Sequence, residues 1–109
     1  MNYNVKSTNV FERQAKRLIK KYASLKQELF QLVQQLKDNP KLGTAIGGEC
    51  YKIRISVASK GKGNSSGARV ITNFVVTDNT VYLLYIYDKS DQETLSDKEL
   101  KELLKCINI

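Results

Sequence analysis

Tyr51, Ile53, Ile55 and Val57 alternate with Lys52, Arg54 and Ser56. A period of two is that of an extended strand, so the apolar set faces a core while Lys52 and Arg54 share the opposite face. Two more apolar runs follow closely. Residues 69–76 are rich in β-forming residues on both faces, the mark of a central strand. Asp78-Asn79 makes a turn, and residues 81–87 form a third apolar strand. Three successive strands with short connections fold as an antiparallel meander.

Helical spacing dominates what comes before. Residues 3–7 alternate as a short first strand. Asn9 and Glu12 have capping-box spacing, so a helix is expected from about Val10, with Phe11, Ala15, Leu18 and Tyr22 facing inward. Ser24 and Gln27 repeat the box, and Leu25, Leu29, Leu32, Val33 and Leu36 line a second helix that Pro40 ends. With so short a link the pair should form an antiparallel hairpin. Residues 41–48, with Gly43, Gly47 and Gly48, read as a loop. Ser96 and Glu99 form a third box, opening a last helix lined by Leu100, Leu103, Leu104 and Ile107. The expected order is strand, helix, helix, three strands, helix. That is an α+β class, in one domain over residues 1–109.

The net charge of +7 is unevenly placed. Residues 1–48 carry nine Lys/Arg against three Asp/Glu, and residues 50–77 carry five against none. From Asp88 onward, six Asp/Glu face four Lys. Lys52, Arg54, Lys60, Lys62 and Arg69 therefore stand together without local neutralisation, suited to a phosphate chain. The basic outer face of the first helix (Arg13, Lys16, Arg17, Lys20, Lys21) reads first as a solvated surface, second as a contact for nucleic acid or an acidic partner. Cys50 and Cys106 match no metal motif and there is no histidine, so no zinc site and no cofactor are expected. Two reduced, buried thiols are the simpler reading of that pair. No apolar leader opens the chain and no run reaches membrane-spanning length, so a cytoplasmic protein is expected, with no membrane partner.

The loop and strand start Ser59-Lys60-Gly61-Lys62-Gly63-Asn64-Ser65-Ser66-Gly67-Ala68-Arg69 lacks the spacing of a P-loop. Together with Tyr51-Lys52-Ile53-Arg54, with Tyr82-Leu83-Leu84-Tyr85-Ile86-Tyr87-Asp88-Lys89-Ser90 and with the element order, it resembles the RelE/HigB family of bacterial toxins, its HigB branch in particular. The resemblance covers nearly the whole chain. It implies a RelE-like microbial ribonuclease fold: a mainly antiparallel sheet with an N-terminal helix hairpin and a C-terminal helix, its basic face left open. It also implies an endoribonuclease that cuts mRNA in the ribosomal A site. The implied partner is a cognate antitoxin, in this branch usually a helix-turn-helix protein of the HigA type, through which alone the complex would bind operator DNA.

RNA cleavage by its own 2′-hydroxyl needs a base, stabilisation of the charged phosphorane and an acid for the departing 5′-oxygen. Without histidine these roles fall to lysine, arginine and tyrosine. Clustered cations lower a lysine's pKa, because neighbouring like charges disfavour its protonated form. By resemblance, Lys52 is the candidate base or phosphate ligand and Arg54 a phosphate ligand. Arg69 is the fork for two non-bridging oxygens, and Lys89 the acid or a clamp. Lys60 and Lys62 would hold backbone phosphate, and Tyr87 would stack on a base. Read singly, Lys52 and Arg54 are plain solubility residues, and Tyr51, Tyr85 and Tyr87 plain core or edge aromatics. The chain departs from the pattern at Asn64 and Ser66 in the loop and at Ser90, where some relatives are basic. It has no tyrosine between Gln92 and Leu100 to match those relatives' C-terminal one. Two rival readings are a ParE-like toxin that poisons DNA gyrase by binding, and a non-catalytic RNA- or ribosome-binding module.

Overall fold

The computed structural model describes residues 3–60, 67–90, 95–105 and 107. Five strands form one sheet in the order β1-β5-β4-β3-β2. They are β1 (Asn4–Ser7), β2 (Thr44–Gly47), β3 (Cys50–Ile55), β4 (Ala68–Val75) and β5 (Thr80–Asp88), with helices α1 (Asn9–Lys21), α2 (Leu25–Asp38) and α3 (Asp97–Leu104). The meander β3-β4-β5 is antiparallel and β4 is central, buried at all but its last position. Strand β1 adds parallel to β5. The segment read as a loop over 41–48 contains β2, which pairs with β3 through Thr44–Lys52 and Ala45–Tyr51. Only four residues with one side chain half-buried make it up, too few for a visible alternation.

Both sheet faces are covered, by different helices. Under α1 and α2 lie Ile53, Ile55, Val70, Phe74, Val81, Leu83 and Ile86, packed against Phe11, Ala15, Leu25, Leu29, Leu32 and Leu36. The apolar set of β3 points there, as its alternation requires. The opposite face carries Cys50, Ile71, Tyr82, Leu84 and Tyr87 beneath Leu103 of α3, with Leu100 and Leu104 alongside. The basic face is thus not left fully open: α3 lies on part of it, because Ile71 and Leu84 are fully buried apolar residues that need a cover. Cys50 is a free buried thiol whose pKa burial pushes up, and Cys106 lies outside the described residues.

Two of the three expected capping boxes take another form. Thr8, not Asn9, caps α1: its hydroxyl accepts the Phe11 N–H (3.1 Å), while Glu12 accepts from Ser7 (2.5 Å). Thr8 is preferred because its own N–H donates to Leu83 O (3.1 Å), tying the helix start to β5. Ser24 is helical and makes no side-chain cap; its hydroxyl lies 2.8 Å from that of Ser59 and 3.2 Å from Glu28. The Ser96–Glu99 box at α3 forms in both directions (3.0 and 3.1 Å). That bond lowers the Glu99 pKa.

Gly43 turns the chain from α2 into β2 at φ +103°, and a Cβ there would stand 2.6 Å from Lys52 O. Both the left-handed backbone and the contact with main chain exclude a side chain. Gly43→Ala is expected to lower unfolding free energy by about 2 kcal/mol or more, read from urea midpoints. A wild-type midpoint would show that the turn is not tight.

Candidate active site

Strand register brings the basic residues together. Arg54 of β3 pairs with Arg69 of β4, and Arg69 pairs with Tyr87 of β5. These three form one row across the three inner strands, near the start of β4, on the face that α3 partly covers. Directly opposed side chains start only about 5 Å apart at Cβ. The next row is Lys52, Ile71 and Tyr85. Two arginines opposed across strands repel each other, and an arrangement of that kind is suited to an anion between or above them.

A β-bulge sets the tyrosines. Between Ile71 and Thr72 the register with β5 slips, so Tyr85 faces Ile71 and Leu83 faces Thr72, leaving Leu84 extra. The phase of β5 changes there, and Tyr82, Leu84, Tyr85 and Tyr87 all belong to the α3 side. Without the slip, Tyr85 and Tyr87 would point into the α1–α2 core.

Arg69 is 4 % exposed, with Nη1 donating to Ala68 O (3.2 Å). Its stem is held by the sheet, so its guanidinium is positioned rather than free to swing. Tyr87 is also 4 % exposed, its ring 6.0 Å from that of Tyr85. Burial pushes the Tyr87 pKa above its ordinary 10.0, Arg69 opposes this, and Tyr85 adds to it. Tyr87 is therefore a neutral hydroxyl in the physiological range, and its enclosed ring offers no free face to a base in this conformation. Tyr85, half-buried one row away, is the more accessible aromatic.

A raised tyrosine pKa favours the folded state below pH 10.0 and works against it above, since the unfolded chain then loses the proton first. Tyr87→Phe is accordingly expected to hold its urea midpoint better than wild type as pH rises from about 9 to about 11. Parallel pH curves for the two proteins would contradict this.

Arg54 is exposed and Lys52 half-buried. Among the described residues no carboxylate forms an ion pair with either. Lys52 also lines a small cavity of about 50 Å³ with Asp97 and Leu100 at the start of α3. Asp97 is a neighbour that its place beside the Ser96 cap gave no reason to connect with Lys52. Lys89 follows β5, half-buried, its N–H donating to Gly67 O (3.0 Å). That bond sets it beside the start of β4, two residues from Arg69. A Cβ at Gly67 would meet Ile55 O at 2.0 Å, so only glycine lets the chain enter β4 here. Asp88, 3 % exposed, accepts from Tyr22 Oη (2.7 Å), Ser90 N (3.0 Å) and Ser90 Oγ (2.6 Å), anchoring the turn that carries Lys89. Ser90, a departure from the basic relatives, thus has a structural task.

Lys60 closes a short 3-10 turn, Ala58–Lys60. Lys62, with Asn64 and Ser66, lies outside the described residues. The structure therefore gathers Arg54, Arg69 and Tyr87 in one row, Lys52 in the next, and Lys89 at the row's margin. Among the described residues no cluster of three His, Cys, Asp or Glu side chains could hold a metal ion. None of their helices is long and apolar enough to cross a membrane.

Two solved structures share this architecture. One is the isolated E. coli RelE toxin, with a TM-score of 0.60 and 17 % identity over 96 % of this chain and 98 % of the other. The second is a mutant E. coli toxin RelE in the free state, with a TM-score of 0.59 and 17 % identity over 96 % and 97 %. At that identity the likeness speaks for the fold. The model of the RelE toxin of the RelE/RelB toxin–antitoxin system matches residues 5–108. With nearly every described element inside that match, the chain belongs to the RelE toxin family.

Proposed function

We propose that this chain is a toxin of the HigB branch that cleaves mRNA on translating ribosomes. The observation that carries the reading is the register-matched row Arg54–Arg69–Tyr87 with Lys52 beside it. In this reading Arg54 and Arg69 hold the non-bridging oxygens of the scissile phosphate. Lys52 takes the proton of the 2′-hydroxyl, whose oxygen attacks the adjacent phosphorus. The bond to the 5′-oxygen breaks and Lys89 gives that oxygen a proton. The products are a 2′,3′-cyclic phosphate and a free 5′-hydroxyl. Tyr87 supports Arg69 through its neutral hydroxyl and enclosed ring. Lys60 and Lys62 hold flanking phosphates. The charges needed are supplied by side chains, so the reaction asks for no metal.

Without a histidine the acid–base pair is a weak one, and the ribosomal A site would supply what it lacks by orienting the attacking hydroxyl in line. The partner that silences the toxin is a cognate antitoxin of the HigA type, and operator DNA is reached only through it. The test is primer extension on a translated mRNA in a cell-free mixture, with and without ribosomes. Ribosome-dependent cuts ending in cyclic phosphate are expected. Intact mRNA alongside inhibited gyrase supercoiling would replace this reading with a ParE-like one. Intact mRNA with salt-sensitive ribosome binding would leave a binding module.

A further inference from the structure

Strand β3 is longer than the partner at its outer edge. Strand β2 begins at Thr44 opposite Lys52, and beyond that point nothing pairs with β3 on this side among the described residues. Lys52 O points toward Gly43, on the β2 side, and Ile55 O points toward Gly67, on the β4 side. Alternation then aims the main-chain N–H and C=O of Arg54 outward, into the open edge. Facing this edge is the polar side of α2. A cleft of about 480 Å³ runs between them, lined by Gln35, Leu42, Thr44, Lys52 and Arg54. It is continuous, through Gln35, Ile53 and Arg54, with a second cleft of about 200 Å³. Among the described residues the Gln35 side-chain amide bonds to nothing. At the far end Glu28 is fixed by the Ala58 N–H (2.9 Å) and the Ser24 hydroxyl (3.2 Å), so a carboxylate closes the groove.

The geometry points to a nucleobase subsite in this cleft, with Gln35 as the residue that reads the base. The argument is one of charge and hydrogen-bonding capacity. Lys52 and Arg54 stand at the mouth and suit a phosphate. Inside, the Gln35 amide presents two donor hydrogens and an acceptor oxygen, and the Arg54 main chain one donor and one acceptor, a combination that suits the edge of a base. Leu42 and Ile53 supply apolar walls for its faces. The volume lies inside the roughly 300–1,000 Å³ of small-molecule clefts. Glu28 repels a second phosphate, so the chain must turn back after one nucleotide. The inference rests on the proposed handling of RNA at Lys52 and Arg54 and adds where sequence preference would arise. An extended peptide would also find the open edge, but the cations at the mouth and the acidic stop favour a single anionic nucleotide.

The test uses ¹⁵N-labelled protein and 2′-O-methyl homotrinucleotides, one for each base, which cannot be cut because the attacking hydroxyl is blocked. Saturable shifts are expected at the Gln35 side-chain amide and the Gly43 N–H, with dissociation constants spread about tenfold between best and worst base. Gln35→Leu, a change at an exposed position, is expected to shrink that spread to below about twofold while shifts at Lys52 and Arg54 persist. Shifts confined to the Arg54–Arg69–Tyr87 row, a spread that survives Gln35→Leu, or no binding at all would overturn the inference. A groove that answers only to a hexapeptide of alternating threonine and valine would overturn it too, marking a strand acceptor. Since nothing need be cleaved, base-dependent binding by a protein that never cuts would refute the nuclease and leave this subsite standing.

Discussion

Arg69→Lys is expected to cleave translated mRNA at least about a hundredfold more slowly than wild type, although the charge is kept. The argument is geometric. Arg69 is the second residue of β4 and is held there by burial, so in the proposed mechanism its planar fork would meet a phosphate in one orientation. Lysine carries its three donors on one nitrogen and cannot reproduce the two parallel bonds of a planar fork. Arg69→Ala should lose as much or more, but it also opens a void beside Tyr87, so the lysine variant is the cleaner comparison. The measurement is the single-turnover cleavage rate on programmed ribosomes, with far-ultraviolet circular dichroism to show an intact fold. A lysine variant that cuts at the wild-type rate would remove the fork from the mechanism and shift attention to Arg54 and Lys52.

Asp88→Ala should cost about 2–4 kcal/mol of folding stability, which for a domain of this size is a drop of some ten degrees or more in Tm. The carboxylate is buried and accepts three bonds, from Tyr22 on α1 and from the Ser90 main chain and hydroxyl. Truncation removes the acceptor that these donors share, at a site only partly open to water. Tyr22→Phe removes one bond and is expected to cost about 1–2 kcal/mol. The same truncation loosens the turn that carries Lys89, so cleavage at a temperature where the variant is folded should also fall. Equal melting of Asp88→Ala and wild type would show that the Lys89 turn is held by something else.

Much of this arrangement was legible in the sequence. The alternation at 51–57 placed Lys52 and Arg54 on one face and Ile53 and Ile55 on the other, because a strand offers no third choice. The two-faced apolar run at 69–76 marked the central strand. Three features were not legible, each for a physical reason. The bulge at Leu84 adds one residue to β5 and reverses its phase, so a strict period of two assigns Tyr85 and Tyr87 to the wrong face. The pairing of β2 depends on β3 rather than on its own four residues, and glycine-rich composition hid it. The position of α3 over the basic face follows from the need to cover Ile71 and Leu84, which only the sheet order reveals. The site residues were named from their chemistry and from resemblance. Register then showed that Arg54, Arg69 and Tyr87 share one row, while Lys89 reaches the same place by a turn.

The parallel seam between β1 and β5 has a consequence for how the protein is born. Val5 pairs with Val81, so β1 waits for β5, the last made of the five described strands. Non-local pairing of this kind delays folding until most of the chain is available. The row itself draws on β3, β4 and β5, and none of it can assemble on a half-made chain. A toxin proposed to act on the translation apparatus would thus lack its assembled row, and stay inert, until β5 has been made.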